Sequence, residues 1–452
     1  MQFELTRELI EKIRELISSE NNSMVKELVG GLHPADIAEI MEELSLEDVK
    51  YIYLLLDGET ASDVLVEIPD YDRKRLLKIL PAEFIARQFI EYMDSDDAAD
   101  IVGELDEEVQ QEVLNEIENI EQAGDIVDLL EYDEESAGGI MAKELVSVNE
   151  NISVHECLKE ISGQSENVDE IYYVYVIDDA GVLKGILSLK KLILSKTNEK
   201  ISNLYNKDII SVTTEMTQEE VANKMEKYDL VAIPVVDSIG RLKGRITIDD
   251  VIDIIREEAE KDYQMVSGIT GDVESSDKVW QLTRARIPWL FIGLIGGILG
   301  SIVIGNHNET LVNIPKMAFF IPLIAAMAGN VGVQSSSIVV QSIASGAKDI
   351  ESISQKLIKE LAIALITALV FAVLIFTFNY FYDSDMVLTW AVAVSLFIVI
   401  VFASIFGTMI PLLLNKLKID PALATGPFIT TMNDILGLFI YLIIGNIFYN
   451  FF

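Results

Sequence analysis

Asp434 lies in the apolar stretch Ala422 to Phe452, inside the run Thr430-Thr431-Met432-Asn433-Asp434. An ionised carboxylate at membrane depth costs about 2.5–3.5 kcal/mol on insertion scales, so residues of this kind usually line ion or proton pathways. The same stretch opens with Asp420-Pro421-Ala422-Leu423-Ala424-Thr425-Gly426-Pro427. Pro427 lacks a backbone donor and should free carbonyls one turn earlier, near Leu423 and Ala424. Those carbonyls, the hydroxyls of Thr425, Thr430 and Thr431, and one carboxylate form a lining of hard oxygens. Soft or borderline metals would want Cys or His, and only His307, in a loop, falls near these segments. Calcium takes about six to eight direct oxygens, whereas magnesium keeps several waters and is held by about one or two carboxylates. One Asp per chain therefore suits hydrated magnesium. Two chains on a two-fold axis would present two Asp434 side chains to one ion, and five helices with one such carboxylate hardly enclose a pore alone.

A second polar patch, Gly329-Asn330-Val331-Gly332-Val333-Gln334-Ser335-Ser336, interrupts another apolar segment. Amides, hydroxyls and small residues there must meet protein or water rather than lipid. Close helix–helix packing is the other reading, because Gly, Ala and Ser let helices approach.

These patches need membrane helices to position them. Five stretches are long and apolar enough to cross about 30 Å of hydrocarbon, approximately Ile287–Gly305, Met317–Ser345, Leu357–Tyr382, Met386–Leu414 and Ala422–Phe452. Arg284, Arg286, Lys348, Lys356, Lys359, Lys416 and Lys418 fall on one side if the chain alternates, against Lys316, Glu309, Asp383 and Asp385 on the other. The basic side is expected inside, which leaves the amino-terminal region cytoplasmic, the carboxyl terminus outside and the protein in the plasma (inner) membrane. The charged, periodic stretch Met1 to Ile17 has no apolar run fit for a signal peptide.

Of the 452 residues, those before Ala285 hold 65 of the 73 acidic and 27 of the 34 basic side chains, a net charge of −38. That excess argues against nucleic acid or anionic lipid as partner and suits a cation. Close acidic faces in such a region repel unless cations neutralise them, although salt screens over about 8 Å. A compact state bridged by divalent ions is the expected closed state. Cys157, the single cysteine, excludes an intrachain disulfide.

The first 131 residues read as a curved stack of short helices, with apolar positions such as Ile37, Ile40, Met41 and Leu44 and breaks at Ser45, Pro69, Pro81 and Ser95. An internal repeat follows with an offset of 59 residues: Val176-Ile177-Asp178, Gly181 and Leu183-Lys184-Gly185 match Val235-Val236-Asp237, Gly240 and Leu242-Lys243-Gly244. Each copy reads as strand, Gly turn, strand and helix. The pair resembles tandem CBS domains, pseudo-symmetric modules that often sense nucleotides or cations. That family's ribose-binding Thr-x-x-Asp pattern is met by Thr247 and Asp250, while Ser188 is followed by Lys191 instead of an acid. Tyr173, Ser188 and Thr247 are the nucleotide candidates, with ATP as a possible modulator. An acidic helix from Asp249 then leads to the first membrane segment.

Taken together, Leu32-His33-Pro34-Ala35-Asp36, Tyr132-Asp133-Glu134-Glu135-Ser136-Ala137-Gly138-Gly139-Ile140-Met141, the repeat pair, the Gly329–Ser335 patch and Asp420-Pro421 through Asn433-Asp434-Ile435-Leu436-Gly437 resemble the MgtE magnesium channels over essentially the whole chain. The resemblance implies four parts: an α-helical superhelical amino-terminal domain (1–131), an α/β tandem CBS pair (132–248), a connecting plug helix (249–283) and a five-helix transmembrane domain (284–452). It implies a homodimeric channel in which Asp434, with Asn330, Ala424, Thr425, Gly426 and Thr431 beside it, holds hydrated magnesium. It further implies closure by cytosolic Mg2+ at Asp63, Asp96, Asp100, Glu219, Asp229, Asp250, Asp253, Glu258, Asp262 and Asp420. Lys261 stands where that pattern would place a further acidic ligand. The competing classes are a proton- or sodium-coupled divalent-cation transporter, in which Asp434 would titrate, and a membrane-anchored sensor without flux. No phosphate-cradling loop, nucleophile–base set or His/Cys cluster suggests an enzyme.

Overall fold

The computed structural model describes residues 5–164, 168, 170–271, 273, 279–344, 352–382, 385–424 and 426–451, and the side chains of all of these except 70, 344, 424 and 451. The chain forms two compact units, Met1–Ile255 and Arg256–Phe452.

The first unit begins with ten short helices: α1 (Arg7–Ser18), α2 (Asn22–Val29), α3 (Pro34–Glu42), α4 (Leu46–Tyr53), α5 (Gly58–Glu67), α6 (Asp70–Leu77), α7 (Ala82–Gln88), α8 (Ser95–Gly103), α9 (Glu107–Glu116) and α10 (Ile120–Leu129). They are short because start signals recur: the side chains of Thr6, Asn21, Ser45, Asp57 and Asn119 accept backbone N–H groups at helix starts. None of them could stand alone in water at this length. What holds them is a shared core in which Ile37, Ile52, Leu65 and Ile85 are fully buried and Tyr53 meets Phe89 edge to face at 5.2 Å. Arg73 of α6 donates to Glu104 (3.2 Å) and to the carbonyl of Ile68 (3.3 Å), which ties one turn of the stack to the next.

Two three-stranded sheets follow, β1 (Val146–Asn149), β2 (Val174–Ile177) and β3 (Leu183–Leu187), then β4 (Val212–Thr213), β5 (Ala232–Val236) and β6 (Leu242–Thr247). In each, the first strand runs parallel to the second and the third antiparallel to it. The equivalent β-turn glycines, Gly181 at φ 79° and Gly240 at φ 84°, take the left-handed conformation such turns require. Reciprocal bonds, Leu183 N–H to Gly240 O (3.0 Å) and Leu242 N–H to Gly181 O (3.1 Å), join the two copies, so the repeat in sequence is a pseudo-two-fold in space. The segment before β1 is pinned to the second copy: Ala137 N–H donates to Met216 O (2.7 Å), Gly138 N–H to Thr214 O (3.0 Å), and Ala142 exchanges bonds with Arg245.

Helix α11 (Val154–Gln164) and α13 (Gln218–Tyr228) pack on these sheets, and α12 (Leu189–Leu194) follows β3. Helix α14 (Ile248–Val266) follows β6, and residue 256 within it begins the second unit.

The second unit contains α15 (Val279–Asn306), α16 (Asn308–Asn313), a 3-10 turn at Pro315–Phe320, α17 (Ile321–Ala344), α18 (Ile353–Tyr382), α19 (Met386–Lys416), a 3-10 turn at Pro421–Ala424 and α20 (Gly426–Phe451). Five of these helices are long and apolar enough to cross a membrane. Helix α19 is the hub, with Val392, Leu396, Val399, Ile400 and Ala403 buried against α17, α18 and α20. Outward-facing side chains on α15 and α18 are large and apolar, including Leu290 at 69%, Ile366 at 68% and Phe381 at 82% exposed, a surface that only lipid or another apolar chain would cover. Inside, the Gly407 Cα on α19 comes so close to α17 that a Cβ there would lie 2.4 Å from the Gly332 carbonyl oxygen. One turn along the same seam, the Ser335 and Ser404 hydroxyl oxygens lie 3.1 Å apart and both donate to the Glu360 carboxylate on α18. Gly407→Ala should destabilise the unit by about 1–3 kcal/mol through overpacking, which thermal unfolding of the full chain in detergent would register as a lowered midpoint.

Candidate functional site

Helix α20 starts at Gly426, so Pro427 occupies its first turn, where a missing N–H costs nothing. This differs from the expected proline inside a continuous helix from Ala422; the chain instead makes a 3-10 turn at Pro421–Ala424, opened by Asp420, whose carboxylate accepts the Ala422 N–H at 2.8 Å. Ala424 lies in that turn and Thr425 falls outside the described residues. Gly426 is left-handed at φ 52°, and a Cβ on it would lie 2.3 Å from the carbonyl oxygen of Val266, the last residue of α14. Gly268, also left-handed, packs against Pro427. The end of α14 therefore rests on the start of α20.

That contact gathers three of the expected acidic residues. Burial, then Asp420 and Glu258, push the Asp262 carboxyl above its usual value. Glu258 is ion-paired with Lys261 at 3.2 Å, so Lys261 supplies a cation within the cluster itself.

Further along α20, Asp434 and Thr431 face small residues. Asp434 Oδ1 lies 2.9 Å from where a Cβ on Gly329 would be, and Thr431 Cγ2 lies 1.9 Å from that of Gly296 on α15. Gly293, Gly296, Gly300, Ser301, Thr431 and Asp434 border a half-open recess of about 270 Å³. The hydroxyl of Thr430 is turned back onto the Gly426 carbonyl (2.9 Å), and Asn330 is exposed on α17. The glycines of the α17 patch thus serve close packing, while the glycines that border the recess are those of α15.

A second oxygen-rich centre lies in the first unit. Asp94, Asp96 and Glu144 each bring a carboxylate oxygen within 4.8 Å of the others. Asp94 and Asp96 flank Ser95 at the start of α8. Ser95 donates both its N–H (3.1 Å) and its hydroxyl (2.8 Å) to Glu144, while Lys143 N–H donates to the Ser95 hydroxyl (2.8 Å). Asp97 and Asp250 are close enough to be felt. Burial and then Asp97, Asp250, Asp94 and Glu144 hold the Asp96 carboxyl well above its usual range, and burial and Asp250 push Asp97 up to about 7. Asp250 is also raised, by burial first, even though it accepts the hydroxyl (2.6 Å) and N–H (3.0 Å) of Thr247. So many carboxylates cannot stay ionised together unless a cation joins them, and an all-oxygen set suits Mg2+ or Ca2+.

Of the residues expected from sequence, Asp96 and Asp250 meet here, and Asp100 acts on Asp97. Asp63, Glu219, Asp229 and Asp253 are exposed on the first unit and are not members of the triad. Sequence reasoning missed Asp94, Asp97 and Glu144; the run Asp94-Ser95-Asp96-Asp97 was a usable signal, whereas Glu144 is brought in only by the pinned segment before β1. It also missed Glu360, which lies within the apolar stretch Leu357–Tyr382. Of the nucleotide candidates, Thr247 is buried, Tyr173 half-buried, and Ser188 is exposed and caps α12 through Lys191 N–H (3.3 Å).

Residues 321–444 match the family model described as a divalent cation transporter, residues 32–135 that of the MgtE intracellular N domain, and residues 137–196 and 201–257 that of the CBS domain. The magnesium transporter MgtE of Bacillus subtilis is 32% identical over 437 residues, covering 88% of this chain and 97% of that one. The magnesium transporter MgtE of Thermus thermophilus is 30% identical over 451 residues, covering 98% and 99%. Among solved structures, the cytosolic domain of the Mg2+ channel MgtE in complex with ATP superimposes with a TM-score of 0.51 at 31% identity, over 54% of this chain and 99% of that one. The soluble part of a magnesium transporter gives 0.50 at 31%, over 56% and 98%. Sequence likeness along nearly the full length and an architecture of helical stack, CBS pair and five membrane-length helices agree, and the chain belongs to the MgtE family of magnesium transporters.

Proposed function

We propose that this chain is a magnesium-selective channel that admits Mg2+ and is closed by Mg2+ bound to its soluble acidic sites. The observation that carries the reading is the placement of Asp434, a carboxylate facing a recess bordered by Gly293, Gly296 and Gly300 in a largely apolar bundle. Such a group holds a cation through retained waters when no protein cation neutralises it. Two copies would place two such carboxylates on one path, which makes a homodimer the functional unit. The segments 1–131, 132–248, 249–283 and 284–452 then act as helical acidic domain, CBS pair, connecting helix and membrane domain. With an odd number of spans the termini lie on opposite faces, the amino-terminal domains cytoplasmic and the carboxyl terminus outside.

Regulation follows from the acidic centres. A Mg2+ ion at Asp94, Asp96 and Glu144, with Asp97 and Asp250 beside it, stabilises the compact arrangement of the helical stack on the second CBS copy. Another at Asp262 and Asp420 would hold α14 against the start of α20. Asp63, Asp100, Glu219, Asp229, Asp253 and Glu258 complete the proposed acidic surface. Several ions, each binding the closed state better, supply the roughly 5.5 kcal/mol that moves an equilibrium from 1:99 to 99:1. ATP is a candidate modulator at the CBS pair, beside Thr247 and Asp250, because the MgtE cytosolic domain that this chain resembles was crystallised with ATP.

In proteoliposomes at equal internal and external pH and without sodium, a Mg2+ gradient alone should drive uptake, and Asp434→Ala should lower it at least about tenfold, a loss of about 1.4 kcal/mol or more in stabilisation of the ion. Uptake that needs a proton or sodium gradient would instead indicate coupled transport. Glu144→Gln should raise the Mg2+ concentration that protects Asp249–Gln264 from proteolysis by at least about threefold, because one charged ligand is lost. Acid should do the same in the parent protein. With Asp97 at about 7 and Asp96 also raised, protons occupy the site increasingly as pH falls from 8 to 6, so protection must require more Mg2+ at pH 6. A protease titration at the two pH values measures the shift, and an unchanged midpoint would count against this site.

A further inference from the structure

Asn433, the neighbour of Asp434, has no place in the proposed ion path, yet it is 1% exposed and neither amide atom has a hydrogen-bond partner among the described residues. A buried polar group without a partner costs about 1–3 kcal/mol, so its position calls for a compensating role. Its surroundings supply one. Asn433 Nδ2 lies 1.8 Å, and Cγ 3.0 Å, from where a Cβ on Gly332 of α17 would be. The planar amide is laid directly on the bare Cα of Gly332.

The adjacent side chain makes the matching contact. Asp434 Oδ1 lies 2.9 Å from the corresponding point on Gly329. Two consecutive side chains of α20 are thus received by two glycines one helical turn apart on α17. Steps of about 1.5 Å per residue along each helix mean that a single axial and rotational setting of α20 seats both. Gly332 cannot retreat, because Gly407 of α19 presses on its carbonyl from another helix.

We infer that Asn433 is a positioning residue: seated on Gly332, it sets α20 against α17 and holds the Asp434 carboxylate over Gly329 and toward the recess. The inference rests on the reading of Asp434 as the residue that holds the ion. It accounts for glycine at position 332.

The test uses the full chain in proteoliposomes and compares the parent with Asn433→Ala, Gly332→Ala, their combination and Asp434→Ala. Asn433→Ala should raise the Mg2+ concentration for half-maximal flux at least about threefold and weaken discrimination against calcium, as a loosened carboxylate predicts. Gly332→Ala drives a methyl into the amide and should lower flux at least about tenfold, and the double variant should regain most of that loss, a non-additivity that independent damage does not produce. Recovery should stop short of complete, because Ile429 Cγ2 also lies 2.9 Å from the new methyl. Flux from Gly332→Ala equal to the parent's, or additive losses in the double variant, would overturn the inference. Should either alanine variant at 332 fail to give monodisperse protein, the Asn433→Ala half-saturation and calcium discrimination decide, and parent values there overturn it. Normal conduction by Asp434→Ala would sink the pore reading and this inference together, whereas a silent Asp434→Ala beside a parent-like Gly332→Ala would sink the inference alone.

Discussion

A carboxylate held in an apolar bundle with no cationic side chain to neutralise it is the condition around which the membrane unit is built. Neither α17 nor α20 contains a basic residue, and none of the described residues bordering the recess beside Asp434 is basic. The group must meet water and a mobile cation, which requires space, and the space comes from residues without side chains. Gly293, Gly296 and Gly300 recur along one face of α15, and Gly329 lies under Asp434 itself. Small residues here do two things at once. They let α15, α17 and α19 close on α20, and where they face the recess they leave room that any larger side chain would fill.

The same electrostatic condition, in a different solvent, organises the first unit. Asp94, Asp96, Asp97, Glu144 and Asp250 converge where α8, the pinned segment before β1 and the start of α14 meet. Arg245 lies 3.7 Å from Asp94 but also donates to the Glu170 carbonyl (2.8 Å), and although Arg73 acts on Asp97, Asp96 and Asp97 are still held above their usual range. In the membrane unit the unbalanced charge is single and surrounded by aliphatics; here it is multiple and partly reached by water. Under the proposed function, a divalent cation would stabilise both arrangements, so that one ion would serve as both cargo and signal.

Much of this was legible in the chain because the signals were local. Apolar length marked the five membrane helices, capping residues marked the short helices, and an exact glycine-turn repeat marked the CBS pair. The intrusion of Asp434 into an apolar run marked a residue that borders the recess. Three kinds of feature were not legible. The start of α20 depended on whether Pro427 would sit inside a helix or at its first turn, and the left-handed Gly426 packed on Val266 decided that through tertiary contact. The triad depended on Glu144, which no spacing links to Asp94 and Asp96; only the bonds from Ser95 and the anchoring of residues 137–142 on the second repeat bring it there. Glu360 was hidden for a third reason. Its charge is absorbed by hydroxyls from two other helices, a satisfaction that exists only after the bundle forms.

Lys261 shows how a single departure redistributes this electrostatic design. Its ammonium lies 3.2 Å from Glu258, on the same face of α14, at half-exposed positions where such a pair contributes little to folding, typically about 0–1 kcal/mol. Its effect on ion binding is larger in kind. Lys261 places a positive charge inside the acidic cluster, so Glu258 is spent on an internal partner. Asp262 and Asp420 remain as the unneutralised pair, and the upward displacement of the Asp262 carboxyl by burial and by Asp420 is the sign of their mutual repulsion. A site of two carboxylates binds a divalent ion more weakly than one of three or four. In this chain the acid-rich centre at Asp94, Asp96 and Glu144 is therefore the one expected to fill first as magnesium rises, with the contact between α14 and α20 following.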